Sequence, residues 1–187
     1  MNCWKGSAGP LLIAEIGGNH EGDFEYAKKL TQLAIESKAD YVKFQIYTGD
    51  TLVSKVEGAQ RNKHFKKFEL STDQDRELAE MCRQNDVGYM ASVWDPEAIE
   101  WIDEYISIYK IGSGDLTAYP VLKATALKNK PILLSTGLAK EQEVLEAIQY
   151  LESVNSMYSK KENLAVLQCT SMYPIPFDDA NLNVMMR

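Results

Sequence analysis

Residues 40–50 read DYVKFQIYTGD, and the alternation inside this run decides the fold. Neighbours on a strand face opposite sides, so Tyr41, Lys43 and Gln45 share one face while Val42, Phe44 and Ile46 share the other. The second face is wholly apolar and suits a covering layer of helices, which leaves Lys43 and Gln45 pointing to the inside of the sheet. Five further apolar runs end in the same way, in a polar residue or a glycine-rich turn. They are LLIAEIGGNH (11–20), VGYMASVWDP (87–96), ISIYKIGSGD (106–115), PILLSTG (131–137) and LAVLQCTSMYP (164–174).

Helical segments separate most of these runs. Asp23 is placed to cap a helix reaching about Ser37, with Ala27, Leu30, Leu33 and Ala34 on its inward side. Ser71 and Gln74 fit a capping box, and Asp95-Pro96 fits a cap followed by a first-turn proline. After LSTG, residues Val144, Leu145, Ile148 and Leu151 give a further helix its apolar face. Strand then helix, repeated with right-handed crossovers, produces a parallel sheet, and the repeat length favours a barrel over a sandwich. The fold expected is therefore α/β, a TIM-type (β/α) barrel with about six of its eight strand–helix units present. The exception to the pattern is the long connection from Tyr47 to Leu70, whose KHFKKFE stretch reads either as a lid or as a solvated charged loop.

Composition narrows the class. A chain of 187 residues with 45% hydrophobic content supports one sizeable core, so residues 1–187 are read as one partial barrel domain. A net charge of -7 argues against a broad nucleic-acid or anionic-membrane surface, while leaving room for a few lysines inside a cleft. Cys3, Cys82 and Cys169 make neither an even set nor a CxxC pair, and Cys169 falls in a buried-strand pattern, which suggests reduced thiols. The opening MNCWKGSAGPLLIAEIGG has no apolar stretch long enough for a signal peptide, and a cytoplasmic protein is expected.

In a barrel the strand ends of one face build the site, which places Glu15, Lys43, Gln45, Lys110, Ser113, Ser135 and Tyr173 around one cavity. Buried ammonium groups need partners, either each other's counter-ions or a ligand anion. The plainer alternative is a set of ion pairs bridging Glu15 to Lys43 or Lys110. Ser113 in GSGD, Ser135 in LSTG and Ser171 in CTSMYP add hydroxyls and turn amides of the kind that cradle phosphate without a P-loop. No GxxxxGK[ST] or strand-linked GxGxxG element indicates a nucleotide. His20 and His64 are widely separated, and His20 reads as a hydrogen-bonding loop residue.

At these same residues the chain resembles the sialic acid synthase (N-acetylneuraminate synthase) family. AEIGGNHEGD, ADYVKFQ, YKIGSGD, KPILLSTG and LQCTSMYP stand in the family's order and spacing. The resemblance implies a TIM barrel, often followed by a small antifreeze-like domain that would lie beyond Arg187, and an enzyme that condenses phosphoenolpyruvate with an N-acetylated hexosamine such as N-acetylmannosamine. The products would be a nonulosonic acid and phosphate: C3 of phosphoenolpyruvate attacks the sugar aldehyde, water adds at C2, and phosphate leaves by C–O cleavage.

Carried over by motif, Lys43, Lys110, Ser113, Ser135 and Ser171 would hold phosphoenolpyruvate. Glu15, Gln45 and Tyr173 would face the sugar, with Glu15 and Asp115 as catalytic candidates. The family uses a divalent metal, Mn2+ or Mg2+, whose histidine ligands lie in strands that would follow Arg187. Three positions differ from the family's usual pattern: Ser92-Val93-Trp94 stands for Ser-Thr-Pro, Ser171 for asparagine, and Asp115 for glutamate. An open-edged partial barrel is also expected to self-associate, giving a homo-oligomer. Two further readings remain: a noncatalytic anion-binding or assembly protein, and another phosphoenolpyruvate-using barrel acting on an unmodified sugar phosphate.

Overall fold

The structure is a computed structural model and describes residues 4–186. The chain packs as two compact units, Met1–Ser107 and Ile108–Arg187. The sequence-predicted position Cys3 lies outside the described residues.

The first unit begins with a short antiparallel hairpin, β1 (Lys5–Gly6) and β2 (Gly9–Pro10), which the sequence reading missed. Asp40 secures it by accepting from the Ser7 and Leu12 amides at 2.7 and 2.8 Å. Those bonds, the Leu12 amide foremost, hold the Asp40 carboxyl below its usual range. Three parallel strands follow: β3 (Ile13–Gly17), β4 (Tyr41–Ile46) and β5 (Gly88–Val93). Register places Glu15 beside Lys43 and Lys43 beside Met90, with Gln45 beside Ser92 in the same sheet face. Val42 and Phe44 on the other face are fully buried, as the alternation requires.

Helix α1 (Phe24–Glu36) starts at the Asp23 cap, whose side chain accepts from the Tyr26 amide. Its buried residues are Ala27, Thr31 and Ala34, while Leu33 is 51% exposed. The expected inward leucine at 33 is thus replaced by Thr31, whose hydroxyl is satisfied by the Ala27 carbonyl at 2.9 Å. The Tyr47–Leu70 connection is helical rather than a loop, with α2 (Gly49–Leu52) and α3 (Ala59–Phe68). Buried Asn62 organises it, donating to the Gly49 and Val53 carbonyls at 2.7 and 2.8 Å and to Asp50 Oδ1 at 3.2 Å. The ammoniums of Lys55 and Lys66, each 2.9 Å from Asp50, hold that carboxyl well below the usual range. Tyr47, just past β4, meets both Phe65 and Trp94, so α3 sits over the carboxyl ends of β4 and β5.

Helix α4 (Thr72–Gln84) has the expected Ser71/Gln74 capping box, and α5 (Pro96–Ile102) the Asp95 cap. On α4, Leu78, Ala79 and Cys82 pack into the core. Phe44 stacks on Tyr89 at 5.6 Å between ring centroids. Burial of side chains of this size stabilises by about 1.5–3 kcal/mol each.

The second unit repeats the pattern with β6 (Tyr109–Ile111), α6 (Tyr119–Ala126), β7 (Ile132–Ser135), α7 (Glu141–Val154) and β8 (Leu164–Leu167). Its strands are parallel, with Lys110 beside Leu133 and Ser135 beside Leu167. Helices α6 and α7 pack side by side, Tyr119 against Tyr150 at 4.7 Å. On α7 the buried residues are Ala147 and Leu151, and Leu145 is 47% exposed, so the apolar stripe exceeds what the unit covers. Strand β8 ends at Leu167, which puts Cys169 beyond the strand and half-buried, not in a buried strand as expected. Beyond β8 the chain runs through two short 3-10 turns, tied back where Thr170 Oγ1 donates to the Asp179 carbonyl at 2.9 Å.

Candidate active site

Each unit assembles its own part of the predicted set at its strand ends. In the first, Lys43 is buried in mid-sheet and its Nζ donates to both Glu15 oxygens, at 2.8 and 3.1 Å. The two ends of this pair differ, for the lysine side chain is 8% exposed and the carboxylate 53%. Of the ion pairs expected as the plainer alternative, this one is present. Gly17 closes the strand at φ +54°, where a side chain would be strained, and a methyl there would come within 3.0 Å of Glu15 Oε1 and 3.7 Å of Gln45 Nε2. Glu15, Lys43 and Gln45 therefore converge over one glycine.

His20 follows in the loop after β3, 6.3 Å from the Phe44 ring between centroids, and is 3% exposed. Its Nδ1 accepts from the Gly22 amide at 3.1 Å, and its ring also hydrogen-bonds the Gly17 backbone. Burial lowers its pKa, outweighing the Gly17 bond, so the imidazole is neutral and pins the β3–α1 loop. This is the hydrogen-bonding loop role expected from the sequence.

In the second unit Lys110 Nζ donates to Ser135 Oγ at 2.6 Å and to the Ile111 carbonyl at 2.7 Å. Ser113 opens the short turn Ser113–Asp115 after β6, and its Oγ accepts from the Gly137 amide at 3.0 Å. A methyl at residue 137 would fall 2.5 Å from Ser171 Oγ and 2.9 Å from Ser113 Oγ. Gly137 thus leaves room for two hydroxyls from different strand ends, that of Ser113 accepting from its amide. Sequence reasoning quoted this glycine in LSTG without giving it a role; its signal was position, directly between three serine-bearing turns. Asp115 ends the 113–115 turn, half-buried. Ser171 is exposed apart from its approach to Gly137, and Tyr173 is 99% exposed.

Among the described residues no three His, Cys, Asp or Glu side chains are grouped so as to hold a metal ion. The donors present do not fit the divalent metal implied by the resemblance, since His20 is already engaged by backbone. No described helix is long and apolar enough to cross a membrane.

The N,N'-diacetyllegionaminic acid synthase of Campylobacter jejuni is 35% identical over 94% of this chain and 55% of its own length. The human N-acetylneuraminate-9-phosphate synthase is 33% identical over 97% of this chain and 53% of its own. A crystal structure of the N-acetylneuraminic acid synthetase of Leptospira borgpetersenii superposes with a TM-score of 0.84 at 27% identity, covering 94% of this chain and 59% of that one. The chain therefore spans about half the length of the relatives it matches. Its fold is an incomplete TIM-type barrel carrying six parallel strand units. The model of the NeuB family matches residues 30–187, and the chain belongs to that family.

Proposed function

We propose that the chain carries the phosphoenolpyruvate-binding part of a sugar-acid synthase, which condenses phosphoenolpyruvate with an N-acetylated hexosamine to give a nonulosonic acid and phosphate. The observation that carries this reading is the cluster of an ammonium, three serine hydroxyls and a backbone amide around Lys110 and Gly137. Such a set neutralises a small anion and gives its oxygens directed donors. The synthase names of the relatives support the same chemistry.

In this reading Lys110, Ser113, Ser135 and Ser171 grip an anionic end of phosphoenolpyruvate, and Lys43 is a second ammonium of the phosphoenolpyruvate-binding set. Glu15 holds the Lys43 ammonium in place until the ligand arrives. When C3 of phosphoenolpyruvate bonds to the sugar aldehyde and the C2–O bond breaks, negative charge moves to the departing phosphate. Ammonium groups already in place stabilise that charge without reorganising. Gln45 and Tyr173 supply hydrogen bonds to the sugar, and Asp115 and Glu15 are the carboxylates available for proton transfer. A divalent metal in such a synthase would polarise the aldehyde; no step here is assigned to it, because the described residues do not form its site.

The test is phosphate release from phosphoenolpyruvate in the presence of N-acetylmannosamine and related hexosamines. It is run on this chain and on a chimera in which the remaining segment of the C. jejuni synthase follows Arg187. Release by the chimera that is lost in Lys110→Ala supports the proposal. A folded chimera that releases no phosphate with any of these sugars overturns it. The noncatalytic alternative draws on the altered third-strand motif Ser92-Val93-Trp94 and expects phosphoenolpyruvate binding with no turnover in either protein.

A further inference from the structure

We propose that helix α3 is an electrostatic guide: its exposed positive charge raises the rate at which anionic phosphoenolpyruvate reaches the Lys43 site, without the helix gripping the bound ligand. The inference rests on phosphoenolpyruvate as the ligand and adds how that anion arrives.

The helix runs against the charge of the chain that carries it. Its sequence, AQRNKHFKKF, holds four basic residues and no acidic one, in a protein of net charge -7. The other helices of the first unit are neutral or acidic in formal charge. In α1 two lysines balance two glutamates, while α2, α4 and α5 each carry an excess of carboxylates. Lys63 and Lys67 stand one turn apart on α3, a like-charge spacing that destabilises a helix. Among the described residues Lys66 is ion-paired, with Asp50 at 2.9 Å, whereas Arg61, Lys63 and Lys67 are exposed and in no ion pair.

Other residues fix the helix in place. Asn62 ties it to the Gly49 and Val53 carbonyls, and Phe65 packs edge-on against Tyr47, two residues past Gln45. Near its C-terminal end the Lys67 carbonyl lies so close to Gly22, in the β3–α1 loop, that a methyl group at Gly22 would collide with it. These contacts set α3 across the carboxyl ends of β3 and β4, beside the convergence of Glu15, Lys43 and Gln45.

Screening limits the reach of an exposed charge to about 8–10 Å at ordinary salt, so its position decides whether it acts on an approaching ligand. Ammonium groups on a mobile loop would be near the site part of the time. On a helix anchored beside it they act on every encounter. Charge placed in this way speeds association, fades with added salt and leaves escape of the bound ligand largely unchanged. A small anion suits the patch better than a nucleic acid, because one ten-residue helix is all the positive surface offered and a long polyanion would also meet the acidic remainder of the chain.

The experiment follows phosphoenolpyruvate binding to this chain by phosphorus NMR line shape, which yields association and dissociation rates, at low and at physiological salt. The triple substitution Arg61→Gln, Lys63→Gln, Lys67→Gln spares Asn62 and Phe65. It should slow association by about fivefold or more at low salt, flatten the salt dependence and leave dissociation unchanged. Glu57→Lys, which adds positive charge just before the helix, should speed association. Lys29→Gln, Lys123→Gln and Lys160→Gln, combined, remove the same charge from other exposed positions and measure the effect of net charge alone. Association that falls no further in the α3 triple than in this control overturns the proposal. So does a change confined to dissociation, which would mark direct contact with bound ligand. A parent that fails to bind phosphoenolpyruvate sinks the functional reading and the guide together, whereas a parent that binds at rates indifferent to the charge on α3 sinks the guide alone.

Discussion

Lys43 and Glu15 form an ion pair whose two ends live in different surroundings: the ammonium is 8% exposed and the carboxylate 53%. Desolvation therefore falls mainly on Lys43, which must keep an anion nearby, whereas Glu15 can swing into water at little cost. In the proposed function an arriving carboxylate or phosphate takes its place, which would make the pair a site of exchange as well as a structural contact.

Glu15→Gln should lower stability by about 1–3 kcal/mol, less than for a fully buried pair because the carboxylate is half solvated. Thermal melting checks this. Added phosphoenolpyruvate should recover more melting temperature in the variant than in the parent, because the ligand then supplies the counter-charge to Lys43 that Glu15 gave.

Gly137→Ala places a methyl group within 2.5 Å of Ser171 Oγ and 2.9 Å of Ser113 Oγ. Ser171 is on an exposed segment and can yield, so the stability cost should be modest, about 1 kcal/mol. Binding of phosphoenolpyruvate should fall by about tenfold or more, because the hydroxyls separate from the amide. Titration calorimetry beside thermal melting separates the two effects.

Asp75 on α4 is 3% exposed and accepts from the Tyr89 hydroxyl at 3.1 Å. Burial raises its carboxyl from the usual 3.8 to about 7, with the Tyr89 bond opposing. A value raised on folding gives stability that is complete below pH 3.8 and is lost as pH climbs through 7. The span corresponds to about 4 kcal/mol at most. Asp75→Asn keeps an acceptor for Tyr89 and removes the charge, so the parent's denaturation midpoint should decline relative to the variant's as pH rises through the window above.

Much of this was legible in the sequence because it rests on local rules. The alternation in YVKFQI set the face of Lys43, and the Asp23, Ser71/Gln74 and Asp95-Pro96 caps mark helix starts where the structure has them. What escaped was organised by polar residues. Helix α3, AQRNKHFKKF, has little apolar periodicity to read, and its fixed point is Asn62, whose three acceptors lie in the preceding turns. Leu33 and Leu145 were read as inward from spacing alone, but one helix stripe is wider than the surface its unit covers. The exposure of Tyr173 and the role of Gly137 depend on contacts between distant segments, which no local pattern encodes.

Asn62→Ala tests that fixed point. Losing bonds to two carbonyls and a carboxylate in a buried setting should cost about 2–3 kcal/mol. The loss should appear as faster amide exchange confined to residues 49–69, with β4 and β5 unaffected.

The most direct measurement is phosphoenolpyruvate binding by titration calorimetry to the parent chain, Lys43→Ala and Lys110→Ala. The expected result is binding to the parent that weakens by about tenfold or more, about 1.4 kcal/mol, in each variant. Equal affinity in all three folded proteins would contradict the claim that these lysines form an anion site.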